Sequence, residues 1–284
     1  MTRRRAPWWV EFPLILIAYE FYEWVRGRVK GSPAAAAHHA KQVIAVERFF
    51  GIFREQAIQR PFLANHLFIQ FWDIYYGTIH FVVPLVALVY LWRHFPDRYR
   101  RWLNTLIFTI LIGLLCFKFY PLLPPRLLPA QFHFVDTAAK IGGMGVFDKG
   151  SMKDVENLYA AMPSFHVGWS TWCALALVPV VRRRWVKALL IAYPCCTFFA
   201  VVVTANHYIL DGVGGWVVLA AGYGVARLWE AADPVGALRG KSHVGRPDAD
   251  EKPPCLTPTP ASVTTTSPAS RRSSTASAGQ RPEG

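Results

Sequence analysis

Long runs of uncharged, apolar residues constrain this chain more than any other feature of its sequence. A helix crossing a bilayer core takes about 20 mostly apolar residues, and only helices and closed barrels satisfy their backbone there. Between Ala188 and Ala226 the single formal charge is Asp211, which is room for two spans with a turn near His207–Asp211. Pro163–Val181, Trp102–Phe117 and Ile74–Trp92 are charge-free runs of similar kind. Phe12–Val25 is a weaker candidate because it holds Glu20 and Glu23. The expected fold class is therefore all-α, a polytopic membrane bundle of about six helices.

Composition agrees. Charged residues make up 17% of the 284 positions, against about 25% in soluble domains. The net charge of +13 does not by itself indicate nucleic acid, because the basic residues sit between membrane-length runs. The five cysteines form no paired framework and no zinc pattern. Three parts are expected: 1–62, an N-terminal span and an amphipathic helix lying at the interface; 63–232, the bundle that carries the chemistry; and 233–284, a disordered cytoplasmic tail rich in Pro, Ser, Thr and Ala.

Basic clusters orient such bundles. Arg3-Arg4-Arg5, Arg93/Arg98/Arg100/Arg101 and Arg182-Arg183-Arg184 are expected on the cytoplasmic side. With six spans, the segment 124–160 and the turn 204–211 then face outward. The expected location is a cell membrane, crossed several times, with the site on the extracytoplasmic side. Segment 26–60 resists this scheme with seven Lys or Arg residues, and is read as the interfacial helix.

Ionisable groups at membrane depth are costly and mark function. Here they gather at the expected outer ends of three spans: Lys118 to Arg126, Pro163-Ser164-Phe165-His166, and His207 to Asp211. Pro163 suits the first turn of a helix, and a His and an Asp four residues apart share a helix face. Each feature alone is ordinary: a cap, an interfacial arginine, a helical pair. Together they suit phosphate chemistry. Arg126 offers a bidentate fork, a helix opening near Pro163 offers N–H donors and its dipole, and Ser164 adds a hydroxyl. His207, with Asp211 fixing its tautomer, suits a nucleophile or base, and His166 suits a proton donor. Asn65, Asp73 and His80 flank the second span and are read as interfacial anchors or interhelical hydrogen bonds. Lys149, Lys153 and Asp154 are read as a solvated loop.

The residues Arg126, Pro-Ser-Phe-His166 and His207-x-x-x-Asp211 resemble the three signature motifs of the type 2 phosphatidic acid phosphatase superfamily. The resemblance covers about residues 100–230. It implies a six-helix membrane bundle that removes or transfers lipid phosphate groups with no metal and no cofactor. It further implies that His207 forms a phosphohistidine, Asp211 orients it, His166 protonates the leaving group, and Arg126, Ser164 and Lys118 hold the phosphate. The sequence departs from the family pattern in places. Lys118 and Arg126 have seven residues between them, Leu127 follows the arginine, and Val201-Val202-Val203 stands where a second phosphate arginine is usual.

The pattern Tyr-Pro-x-x-Pro-Pro-Arg126, and the run Val46 to Glu55, are similar to the inositol phosphorylceramide synthase-like branch. That branch transfers a phospho-headgroup between lipids, so inositolphosphotransferase activity is the expectation. A lipid phosphate or polyprenyl diphosphate phosphatase, and an inactive membrane scaffold, remain the alternatives. The expected partners are a lipid phosphate and the bilayer, with no nucleic acid; the residues leave the oligomeric state open.

Overall fold

A computed structural model of the chain describes residues 31–142 and 159–232, with isolated helical positions before them. Most of the stretch Phe12–Val25, the loop residues Lys149, Lys153 and Asp154, and the tail 233–284 lie outside the described residues.

The described part is helical, and its only β feature is a single bridge between Leu122 and Ala160. Seven helices run in order: α1 (Pro33–Phe49), α2 (Glu55–Gln59), α3 (His66–His94), α4 (Pro96–Phe119), α5 (Phe165–Leu177), α6 (Arg184–Val203) and α7 (Ile209–Ala232). Their limits follow from local chemistry. Ser32 caps α1 by accepting the N–H of Ala35, and Asn65 caps α3 by accepting the N–H of Phe68. Asn65 is thus a helix cap rather than the anchor or interhelical bond expected of it. Proline opens α4 at Pro96, and Pro121, Pro124 and Pro125 prevent its continuation.

Four of these helices, α3, α4, α6 and α7, are long and apolar enough to cross a membrane. Only 22% to 39% of each apolar window is buried inside the protein, so much of the apolar surface points outward. Leu85, Val86, Leu189 and Val217 are exposed examples. A multi-pass membrane bundle accounts for that surface.

The expected span Pro163–Val181 differs. Its helix, α5, has 13 residues and is about 20 Å long at roughly 1.5 Å per residue, short of the roughly 30 Å hydrocarbon core. It packs against α3, α4, α6 and α7, and Trp172, Cys173 and Ala176 on it are fully buried. Trp172 donates its indole N–H to the carbonyl of Trp102 at 2.9 Å, so even its polar edge is satisfied. Pro163 is also displaced from its expected place. It lies outside the helix, because Ser164 is the N-cap in extended conformation and is tied to α7 by its own N–H, 2.9 Å from the carbonyl of Asp211.

Small residues let the helices close. A Cβ on Gly222 of α7 would stand 2.7 Å from the backbone nitrogen of Thr109 on α4, and one on Gly215 would stand 2.4 Å from the carbonyl of Ser164. At the end away from Ser164, Arg101 pairs with Glu230 at 3.1 Å and Arg98 reaches the carbonyl of Ala176. The arginine block and the Ser164 end therefore occupy opposite ends of the bundle.

The amphipathic segment needs a correction. Ala36, Ala40, Val43, Ile44 and Glu47 of α1 are buried, and Ala40, Val43 and Ile44 pack with Leu122, Ala161 and Tyr208. Val46, Phe49 and Phe50 remain exposed. The helix has two apolar faces, one of which covers the loops of the site, and the apolar residues of the sequence did not distinguish them.

Candidate active site

The three polar segments meet at one end of the bundle. After α6, the turn 204–208 is held by its backbone: the N–H groups of Asn206 and His207 both donate to the carbonyl of Val201. Ala205 takes φ 54°, a left-handed conformation that costs a non-glycine residue about 1 kcal/mol. Its carbonyl accepts the N–H of Arg126 at 2.9 Å, which joins the proline loop to the turn.

His207 and Asp211 do not share a helix face, contrary to expectation, because His207 precedes α7. They meet through capping. Asp211, in the first turn, reaches back to accept the N–H of Tyr208 at 3.0 Å, and the same oxygen lies 3.3 Å from Nδ1 of His207. With Nδ1 so engaged, Nε2 is the nitrogen left for chemistry. Asp211 is fully buried and His207 is 4% exposed.

His166 lies on the first turn of α5, its ring centroid 5.6 Å from that of His207 and inclined by 59°. Tyr76 stacks on His166 at 4.1 Å, and the His80 ring lies 4.0 Å from it on the same helix, α3. His80 donates from Nδ1 to the carbonyl of Tyr76 at 2.6 Å. Sequence reasoning had left His80 among structural residues and had not named Tyr76. The available signal was spacing: Asp73, Tyr76 and His80 recur three and four residues apart, one polar stripe on an otherwise apolar helix.

Ser164 is fully buried, makes no capping bond with its side chain, and its Oγ has no hydrogen-bond partner among the described residues. Beside it the N–H groups of the first turn of α5 have no intrahelical acceptor. Both features suit an anion. Arg126 is 15% exposed at its side chain and lies 3.5 Å from Asp136, while Asp73, which accepts from Thr137 at 2.8 Å, is within electrostatic reach of both. Gln59 holds this loop through a reciprocal pair of bonds with the backbone of Val135.

Lys118 is placed differently from the rest. It is exposed, with its ammonium 5.5 Å from the ring centroid of Phe119, and no hydrogen bond or ion pair joins it to the imidazoles among the described residues. The stretch Val201-Val202-Val203 is buried and packs with Val167, so the position of the usual second arginine belongs to the core here. Among the described residues no group of three or more His, Cys, Asp or Glu could hold a metal ion.

Two further carboxylates border the site. Glu47 and Glu55, both fully buried, accept the N–H groups of Leu210 and Ile209 at 2.7 and 2.9 Å. Against known proteins, a family model described as PAP2 superfamily matches residues 41–225. No curated protein and no solved structure matches the chain.

Proposed function

The chain belongs to the PAP2 superfamily, and from that premise we propose that it is a membrane phosphotransferase moving a phospho-headgroup between lipids through a phosphohistidine on His207. Membership makes it a lipid enzyme of the phosphatase or phosphotransferase type. The finer reading rests chiefly on one observation: two imidazoles lie 5.6 Å apart between ring centroids, one of them backed by a buried carboxylate.

The chemistry follows from those positions. Nε2 of His207 attacks phosphorus, and the bond to the leaving oxygen breaks as His166 gives that oxygen a proton. Asp211 holds the Nδ1 proton of His207 and stabilises the positive charge that develops on the ring. The acceptor hydroxyl then attacks phosphorus from the phosphohistidine, losing its proton to His166 as the N–P bond breaks. Arg126, Ser164 and the opening of α5 neutralise the non-bridging oxygens without a metal. Lys118 has no such role while it faces outward; a phosphate role for it would require movement.

Transfer to an alcohol such as an inositol lipid is supported by the likeness of the motifs to the inositol phosphorylceramide synthase-like branch. With water as acceptor the same steps make a phosphatase of lipid phosphates or polyprenyl diphosphates. The positive-inside pattern of the arginine clusters supports a site on the extracytoplasmic side. Purified protein given phosphatidic acid radiolabelled in its phosphate, with and without a lipid alcohol as acceptor, separates the outcomes. A new labelled lipid supports transfer, free phosphate supports hydrolysis, and absence of turnover supports a scaffold. His207→Ala should abolish either activity; full turnover in that variant would refute the nucleophile.

A further inference from the structure

Two buried acids outside the phosphate site have no part in the steps above. Glu47 lies in the last turn of α1 and Glu55 opens α2. Neither side chain is exposed. Each uses Oε1 to take one of the first N–H groups of α7, those of Leu210 and Ile209. Neither Oε2 has a hydrogen-bond partner among the described residues. Neighbouring buried carboxyls disfavour a second negative charge, and Glu55 is among the groups that raise Glu47.

The pair sits where that matters. The N–H groups it accepts lie between His207 and Asp211 in sequence. Helix α7 begins there with Asp211 in its first turn, and the orphan donors of a buried helix start need acceptors. Because α1 and α2 supply them, the angle at which α7 leaves the His207 turn is set by chain more than 150 residues away. The charged and titratable groups facing the pair are Asp211 and Tyr208, with His207 behind Asp211.

We propose that Glu47 and Glu55 are positioning residues: a buried carboxyl pair that clamps the first turn of α7 and thereby holds His207 in line with His166 and Ser164. The proposal rests on the function of His207 given above. Burial, and then the neighbouring Glu55, push the Glu47 carboxyl up from 4.5 to about 9. Its proton is therefore retained across the physiological range. Loss of that proton above about pH 9 would place two anions side by side next to Asp211.

The sign of the pH effect follows. The folded-state value lies above the unfolded one, so the contribution of Glu47 to stability is full below about pH 4.5. It declines as pH rises toward 9, because the unfolded chain releases a proton the folded chain keeps. Glu47→Gln reproduces the protonated partner, with an oxygen for Leu210 and an N–H for Glu55, and removes the titration.

The test uses the full chain in detergent or nanodiscs. The melting temperature of Glu47→Gln minus that of wild type should grow between pH 6 and pH 9. With phosphatidic acid radiolabelled in its phosphate and a lipid alcohol as acceptor, Glu47→Ala should lower kcat about ten-fold, the scale of one lost buried bond, with KM little changed. Glu47→Gln should restore it. A pH-independent difference in melting temperature, or a Glu47→Gln variant as slow as Glu47→Ala, would overturn the proposal. The melting comparison needs no substrate, so a chain that turns over no lipid phosphate would refute the reaction and still leave the pair decided.

Discussion

One oxygen of Asp211 serves both the Nδ1 of His207, at 3.3 Å, and the backbone N–H of Tyr208, at 3.0 Å. The same carboxylate thus orients the imidazole and completes the start of α7. These two roles separate in Asp211→Asn. The amide keeps the shape and one acceptor oxygen but lacks the charge that supports a positive or phosphorylated ring. Turnover should fall by about 10³-fold or more, while the melting temperature in detergent changes little. Activity within ten-fold of wild type would remove Asp211 from the mechanism.

His166 is expected to matter in proportion to the leaving group. In His166→Ala, lipid esters with poorly acidic alcohols should slow by about 10²- to 10⁴-fold, and aryl phosphates much less. Comparing the two substrate types in a single preparation checks this. Equal losses for both would assign His166 to binding.

Tyr76 lies flat on that imidazole, 4.1 Å between ring centroids. Aromatic pairs contribute about 0.5–1.5 kcal/mol beyond burial. Tyr76→Leu should therefore lower kcat by roughly two- to twelve-fold, while Tyr76→Phe, which keeps the ring, should stay near wild type. Steady-state kinetics on the two variants decides it. A Phe variant as slow as the Leu variant would shift the role to the hydroxyl.

Arg126 approaches Asp136 and has its backbone anchored to Ala205. Arg126→Lys retains the charge but not the planar fork. The kcat/KM for phosphatidic acid should drop by about ten-fold or more, and Arg126→Ala should cost more still. A lysine variant indistinguishable from wild type would show that charge alone suffices.

Gly215 lets the carbonyl of Ser164 approach α7; a Cβ there would lie 2.4 Å from that oxygen. Because the contact is with backbone, no rotamer change relieves it. Gly215→Ala should destabilise by about 1–3 kcal/mol and lower turnover by moving Ser164. Thermal melting beside kinetics tests both halves. Gly224, whose added Cβ meets nothing within 4 Å, is the matched control.

Several features were legible before any coordinates. Apolar run length depends only on neighbours along the chain, so the positions of α3, α4, α6 and α7 were legible, as was the proline stop after Phe119, although α3 and α4 begin well before their charge-free runs. The pairing of His207 with Asp211 was readable from spacing, although the helical reason offered for it was wrong. The true reason is a capping bond outside the helix. The length of α5 was misjudged, since an uncharged run looks the same whether it crosses lipid or is enclosed by protein.

Local composition and order thus determined that this is a membrane bundle with ionisable residues at the ends of its helices. Only the tertiary structure decided which partners those residues have. His80 and Tyr76 come to His166 from another helix, and Glu47 and Glu55 reach α7 from 163 and 154 positions away. The physical reason is that hydropathy is set residue by residue. A buried hydrogen bond or shared proton exists only once packing has excluded water and brought distant groups within about 3 Å.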